Sequence, residues 1–187
     1  FDPMIARVIV HAPPRREAAG RLARVLETTA IAGLNTNRDF LVTTLRTPQY
    51  LAGDTTTDFI ERVKPPLQRE VSDLEHLQAA IAVAMESQAQ RRLAAKVLTT
   101  MPSGWRNSTM PLQSATYTVA DIELTVAYQS LRDGTFKVIC NDETHSVAIH
   151  QAGEGCIDLA LDGQRLQFDI QRNGMQWLVH GDGGDAV

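Results

Sequence analysis

At 187 residues, with 43% apolar and 21% charged side chains, the chain has ordinary globular composition and room for one generous domain or two modest ones, which excludes disorder of the whole. A net charge of −4 and an acidic pI near 5.7 leave no basic footprint for nucleic acid. Two cysteines, Cys140 and Cys156, are too few for a disulfide scaffold or a zinc site, and no stretch approaches the roughly 18 to 20 apolar residues that span a bilayer, so a soluble cytoplasmic protein with neither membrane nor nucleic-acid partner is expected.

The chain opens without an initiator Met, a capped lead-in or a signal-peptide layout, as if begun inside a larger protein. Val8 to Val10 form a β-branched run stopped by Pro13-Pro14, which predicts a strand. Arg15 to Thr28 set Ala18, Leu22, Val25 and Leu26 on one helical face, with Glu17 and Arg21 paired at i,i+4 on the other. A turn at Ala30 to Gly33 leads to a second helix, capped by Thr36 or Asn37 and carrying Phe40, Leu41, Thr44 and Leu45 until Pro48. A short helix over Thr57 to Arg62 follows, and Pro65-Pro66 mark a domain boundary, giving domains of 1–64 and 65–187.

Beyond the prolines, Glu70 to Leu98 run without Gly or Pro and are rich in Ala, Leu, Gln and Glu, so a long helix is expected over about 69–99. Val71, Leu74, Leu77, Ile81, Ala84 and Met85 recur at three and four, while alanines at 79, 80, 82, 84, 89, 94 and 95 suit a helix approached closely on more than one side. Met101 to Pro111 break the helix, and the period then becomes two. Seven short strands alternate with Ala120-Asp121, Arg132-Asp133-Gly134, Asn141-Asp142, Gly153-Glu154-Gly155, Asp162-Gly163 and Asn173-Gly174. This is an antiparallel meander over about 114–180, with 181–187 as a linker. Such a sheet must hide its edges, and a barrel around or against the helix does so. The fold class is α+β.

Three separated pieces, Asp2-Pro3-Met4-Ile5-Ala6, Gly33-Leu34-Asn35-Thr36-Asn37 and Gly53-Asp54-Thr55-Thr56-Thr57 with Phe59-Ile60, resemble the C-terminal end of the biotin carboxylase domain of biotin-dependent acyl-CoA carboxylases. The long helix, the loop with Gly104-Trp105-Arg106-Asn107 and the meander resemble the biotin carboxylase to carboxyltransferase interaction domain of the same α subunits, the BT domain. In that family a central helix is surrounded by an eight-stranded antiparallel barrel; seven strands are legible here. The resemblance implies a parent enzyme that carboxylates biotin with ATP, Mg and bicarbonate and passes the carboxyl group to an acyl-CoA on the β subunit. It also implies a hetero-oligomer with the carboxyltransferase β subunit and the biotin carboxyl carrier domain as partners. The family's catalytic residues lie upstream of the Asp-Pro-Met piece, so no catalytic, cofactor-binding or metal residue carries over. None of Lys64, Lys96 and Lys137 is presented between methionines at a hairpin tip, where a biotinyl lysine would be. Rival readings are a free-standing adaptor protein, or a carboxylase for methylcrotonyl-CoA or urea.

The family's hook loop, which contacts the β subunit, would be Thr100 to Gln113, with Trp105, Arg106, Asn107 and Met110 as interface residues. Trp and Arg are the types enriched at interface hot spots. The residues alone equally allow Trp105 to plug the barrel end and Arg106 to cap the preceding helix; the resemblance favours docking. Asn107-Ser108-Thr109 matches a glycosylation acceptor by chance in a chain without a secretory signal. His145 and His150 fall on opposite faces of one strand, which excludes a metal clamp, and Ser146 points away from His145. Asp182 to Asp185 lack the repeating carboxylates of a calcium loop. Arg15, Arg16 and Arg21 read as a solvated helix face.

Overall fold

A computed structural model describes residues 4–31, 33–97, 112–153, 155–181 and 184–185. Two units make up the chain, Phe1–Glu70 and Val71–Val187.

The first unit carries four helices: α1 (Arg15–Glu27), α2 (Arg38–Arg46), α3 (Pro48–Ala52) and α4 (Phe59–Val63). Its small core is Ala19, Ala23, Val42 and Leu45, with Leu22, Leu26, Tyr50 and Leu51 packed against it. The buried stripe of α1 is therefore 19, 22, 23 and 26, rotated by one residue from the face expected from sequence, and Val25 is 41% exposed. Alanines at 19 and 23 let α2 approach more closely than larger side chains would. The predicted pair forms, Arg21 Nη2 lying 2.5 Å from Glu17 Oε1. At the start of α2 the Thr36 hydroxyl, not the Asn37 side chain, accepts from the Arg38 N–H at 3.3 Å. Helix α3 escaped the sequence reading; Pro48 at its first position and the Thr47 hydroxyl accepting from the Tyr50 N–H start it.

Residues 4–12 adopt no regular structure, contrary to the strand predicted at Val8–Val10. A strand needs a neighbour for its N–H and C=O groups, and the described residues of this unit contain no other strand. Ile5 and Ile9 stand largely exposed as a result.

In the second unit a single helix, α5 (Asp73–Leu93), runs against an antiparallel sheet. It is shorter than predicted at both ends. Ser72 fixes the start through a capping box, its hydroxyl accepting from the Glu75 N–H at 3.3 Å while the Glu75 carboxylate accepts from the Ser72 N–H at 2.8 Å. The sheet follows in order: β1 (Gln113–Val119), β2 (Ile122–Ser130), β3 (Phe136–Cys140), β4 (Glu143–Gly153), β5 (Cys156–Leu161), β6 (Gln164–Asn173), β7 (Gln176–Gly181) and β8 (Gly184–Asp185). Every strand pairs with its sequence neighbours, giving the order β1-β2-β3-β4-β5-β6-β7-β8. Six of the seven connections between strands are two residues long, and Ala120-Asp121, Asn141-Asp142 and Asp162-Gly163 have positive φ at both positions, the geometry that matches strand twist. The eighth strand lies in the residues read as a linker: Asp185 pairs with His180 and Gly184 with Gly181.

The sheet curls around α5, which packs against β1, β2, β4, β5, β6 and β7. Every residue from Ala79 to Glu86 is buried, so no helical face is left to solvent there. Ile81 and Met85 meet Val126, Val138, Val147, Ile157 and Leu159 in the core. The small Ala79, Ala80, Ala82 and Ala84 set how closely the strands can wrap. The sheet expected from sequence as a barrel curls around α5 as a half-barrel, and among the described residues β1 and β8 do not pair.

Candidate docking site

Trp105, Arg106, Asn107 and Met110, the residues singled out for docking, lie outside the described residues. What the structure shows are the elements from which their segment departs and to which it returns: the C-terminal turn of α5 and the start of β1. Gln113, the first residue of β1, pairs with Tyr128 on β2. Tyr128 is 4% exposed and lies edge-on to Phe136, ring centroids 6.4 Å apart. From the last turn of α5, the Arg91 guanidinium Nη2 donates to the Tyr128 hydroxyl at 2.6 Å, joining helix to sheet.

The same region holds the polar part of the core. Glu86 and Gln88 are buried on α5, although their types favour solvent. Burial pushes the Tyr117 phenol above its ordinary range; nearby Tyr128 adds to this, and the Arg91 charge and a hydrogen bond with Ser87 oppose it. This cluster of two phenols, a guanidinium and buried polar helix residues was missed in the sequence. Its signal was present, since Glu86 to Arg92 is the polar interruption of an otherwise apolar helical pattern.

The remaining candidates resolve structurally. His145 is half-buried and His150 exposed, and a register shift between Ile149 and Gln151 leaves His150 outside the β4–β5 pairing. His145 Nδ1 meets Asp162 Oδ2 at 2.8 Å, and Asp162 Oδ1 accepts from the Ser146 N–H at 2.8 Å. These bonds clasp the β5–β6 turn to β4, and they hold the Asp162 carboxyl below its ordinary range, the His145 contact most strongly. Ser146 contributes its backbone, not a nucleophile. On the outer face, Asp158 accepts from Arg165 Nε and Nη2 at 2.9 and 2.6 Å and from the Gln167 amide at 3.2 Å. Burial pushes the Cys140 thiol up, and burial with Asp169 and Asp158 does the same for Cys156, so neither is an activated nucleophile. Among the described residues no three His, Cys, Asp or Glu side chains converge to hold a metal ion. No described helix is long and apolar enough to cross a membrane.

A helix enclosed by an antiparallel meander, preceded by a helical unit, is the architecture on which comparison with known proteins bears. Residues 74–187 match the family model described as methylcrotonyl-CoA carboxylase, α-subunit, BT domain. The chain belongs to this BT-domain family. Ahead of the BT domain, residues 1–62 match the model for the biotin carboxylase C-terminal domain. Over 60 residues the chain is 42% identical to a biotin carboxylase of Halalkalibacterium halodurans, covering 32% of the chain and 13% of that protein. It is 42% identical over 60 residues to the mitochondrial methylcrotonoyl-CoA carboxylase subunit α of Mus musculus, covering 32% of the chain and 8% of that protein. The propionyl-CoA carboxylase α chain of Ruegeria pomeroyi is 32% identical over 96 residues, 49% of the chain and 14% of that protein. The alignments thus span only about a tenth of the length of these relatives.

Proposed function

We propose that this chain is part of the α subunit of a biotin-dependent acyl-CoA carboxylase and that its work is subunit assembly. The observation that carries the proposal is the tandem of two family matches in chain order, a biotin carboxylase C-terminal domain over residues 1–62 and a BT domain over 74–187. In this reading residues 1–64 complete the biotin carboxylase fold and 65–187 dock the α subunit on its carboxyltransferase partner. The segment between α5 and β1 supplies the contact, through Trp105, Arg106, Asn107 and Met110. A large aromatic ring and a guanidinium bury area and form charge-assisted bonds, as docking anchors do.

The parent reaction is ATP-driven carboxylation of biotin, followed by carboxyl transfer to an acyl-CoA on the partner subunit, with the biotin carboxyl carrier domain moving between the two. ATP, Mg and biotin belong to the parent enzyme. Relatives named for methylcrotonoyl-CoA and for propionyl-CoA each align with part of the chain, so the proposal stops at acyl-CoA.

The test uses the full-length α subunit and its carboxyltransferase partner. Trp105→Ala with Arg106→Ala should weaken their association at least tenfold, by the scale of interface hot spots, while biotin carboxylation by the α subunit alone stays unchanged. Association as tight as that of the parent protein would sink the assignment.

A further inference from the structure

The β6–β7 hairpin outruns the strands beside it. Pairing between β5 and β6 stops at Cys156 and Asp169, yet β6 continues to Asn173, and β8 covers only His180 and Gly181 of β7. Gln171 to Leu178 therefore form a two-stranded arm, with Gln171 opposite Leu178, Arg172 opposite Trp177 and Asn173 opposite Gln176. Among the described residues neither edge of this arm has a neighbouring strand. A lone two-stranded ribbon is marginal in water, and this one is braced by its own side chains. The Trp177 ring packs against the core, the Arg172 guanidinium lies over that ring at 5.1 Å from its centroid, and Arg172 Nε donates to the Gly174 carbonyl at 3.0 Å.

The bracing leaves binding groups unused. Two contacts hold the guanidinium in place, while among the described residues no carboxylate meets its terminal Nη groups. At the tip Met175 is 95% exposed. The turn itself asks only for glycine at its first position, which Gly174 supplies with φ +62°, so the hairpin has no need of a methionine at the second. An ordered cation, a half-buried indole and a projecting thioether are the side-chain types concentrated at protein interfaces. We propose that this arm docks on the carboxyltransferase subunit, Arg172 holding a carboxylate of that partner and Met175 entering an apolar recess beside it. The proposal rests on the docking of residues 65–187 put forward above, but needs none of the segment between α5 and β1. An unpaired guanidinium on a chain of net charge −4 selects an acidic surface. Because its fork is already fixed, little side-chain freedom is lost on binding.

The test again uses the full-length α subunit with its carboxyltransferase partner. Met175→Ser should weaken association about three- to tenfold, the scale of one partly buried apolar side chain, and because Met175 is exposed the melting temperature of the α subunit should stay unchanged. Arg172→Glu, which sets like charges together, should weaken association more than about tenfold. Arg172→Lys keeps the charge without the fork and should fall between the parent and Arg172→Glu. Arg172 also braces Trp177, so its variants loosen the arm as well; Met175→Ser is free of that complication and decides. Parent-like association by either Met175→Ser or Arg172→Glu overturns the proposal. So does a fall in self-association of the α subunit alone, read by sedimentation, since the arm would then serve a second copy of the chain. If Trp105→Ala with Arg106→Ala weakens binding while the arm variants bind like the parent, the arm alone fails; if all of them bind like the parent, the docking reading fails with it.

Discussion

If α5 is enclosed on all sides, then enlarging its small residues should destabilise the fold whichever way they face. Ala80 and Ala82 are 2% and 0% exposed, and at 100° per residue they point in roughly opposite directions around the helix. A helix packed on one face would tolerate a leucine at one of the two. Here each Ala→Leu adds three carbons to a closed site and should cost about 1–3 kcal/mol by overpacking. The complementary deletion, Ile81→Ala, removes a side chain with no exposed surface, in a stretch where all residues from Ala79 to Glu86 are buried. Neighbours that are mostly alanines and pinned strands collapse poorly into the gap, which places the loss in the upper part of the usual range of about 2–5 kcal/mol. Leu74→Ala, on the same helix but 60% exposed, is the control and should change stability by less than about 0.5 kcal/mol. Urea unfolding followed by tryptophan fluorescence reads the right unit, because both tryptophans, Trp105 and Trp177, lie within residues 71–187. A loss below about 0.5 kcal/mol for either Ala80→Leu or Ala82→Leu would show a free helix face and refute the enclosure.

Two further outcomes follow from local geometry. The hydrogen bonds from Arg165, aided by Gln167, hold the Asp158 carboxyl at about 2 against an ordinary 3.8. Because the folded value is the lower one, this contribution is complete above pH 3.8 and fades as pH falls toward 2. Asp158→Asn should flatten the acid limb of stability in that window in a pH series of urea midpoints, and an unchanged slope would discount the pair. Gly155 has φ +78°, and a Cβ there would stand 2.9 Å from the Ile170 carbonyl oxygen. Gly155→Ala should cost roughly 1–3 kcal/mol and speed exchange of the Ile170 amide, which donates to the Gly155 carbonyl at 2.6 Å; parent-like protection of that amide would refute the strain.

Local chemistry explains what was legible in the sequence. Asp-Gly, Asn-Asp and Ala-Asp pairs at fixed spacing mark two-residue turns because their positive φ values are tolerated or demanded there, and so seven strands and their order could be written down before any coordinates. The Gly- and Pro-free run from Glu70 marks α5, and its scattered alanines already signalled close approach on several sides. The recurring pieces around Asp2-Pro3-Met4, Gly33 and Gly53 pointed to the biotin carboxylase end without structural help. Helix α3 was missed because five residues give too short a window for periodicity, although Thr47-Pro48 is a start signal. The buried face of α1 was misplaced by one residue because alanine carries little hydrophobic signal, yet close packing selects it.

The strand expected at Val8–Val10 and the linker expected at 181–187 erred in opposite directions for one reason. Pairing is a property of the neighbour. Val8, Ile9 and Val10 state a preference that the described residues of their unit cannot satisfy, whereas Gly184-Asp185 show no preference and pair because β7 presents His180 and Gly181 to them. The Arg91 to Tyr128 bond is of the same kind, joining residues 37 positions apart that no periodicity relates. Sequence alone thus determined the long helix, seven of the strands with their order, and the family, since these rest on propensity, turn chemistry and short motifs. Only the tertiary structure decided which faces are enclosed, which edges pair and that Arg91 meets Tyr128, since these depend on groups distant in the chain meeting in space.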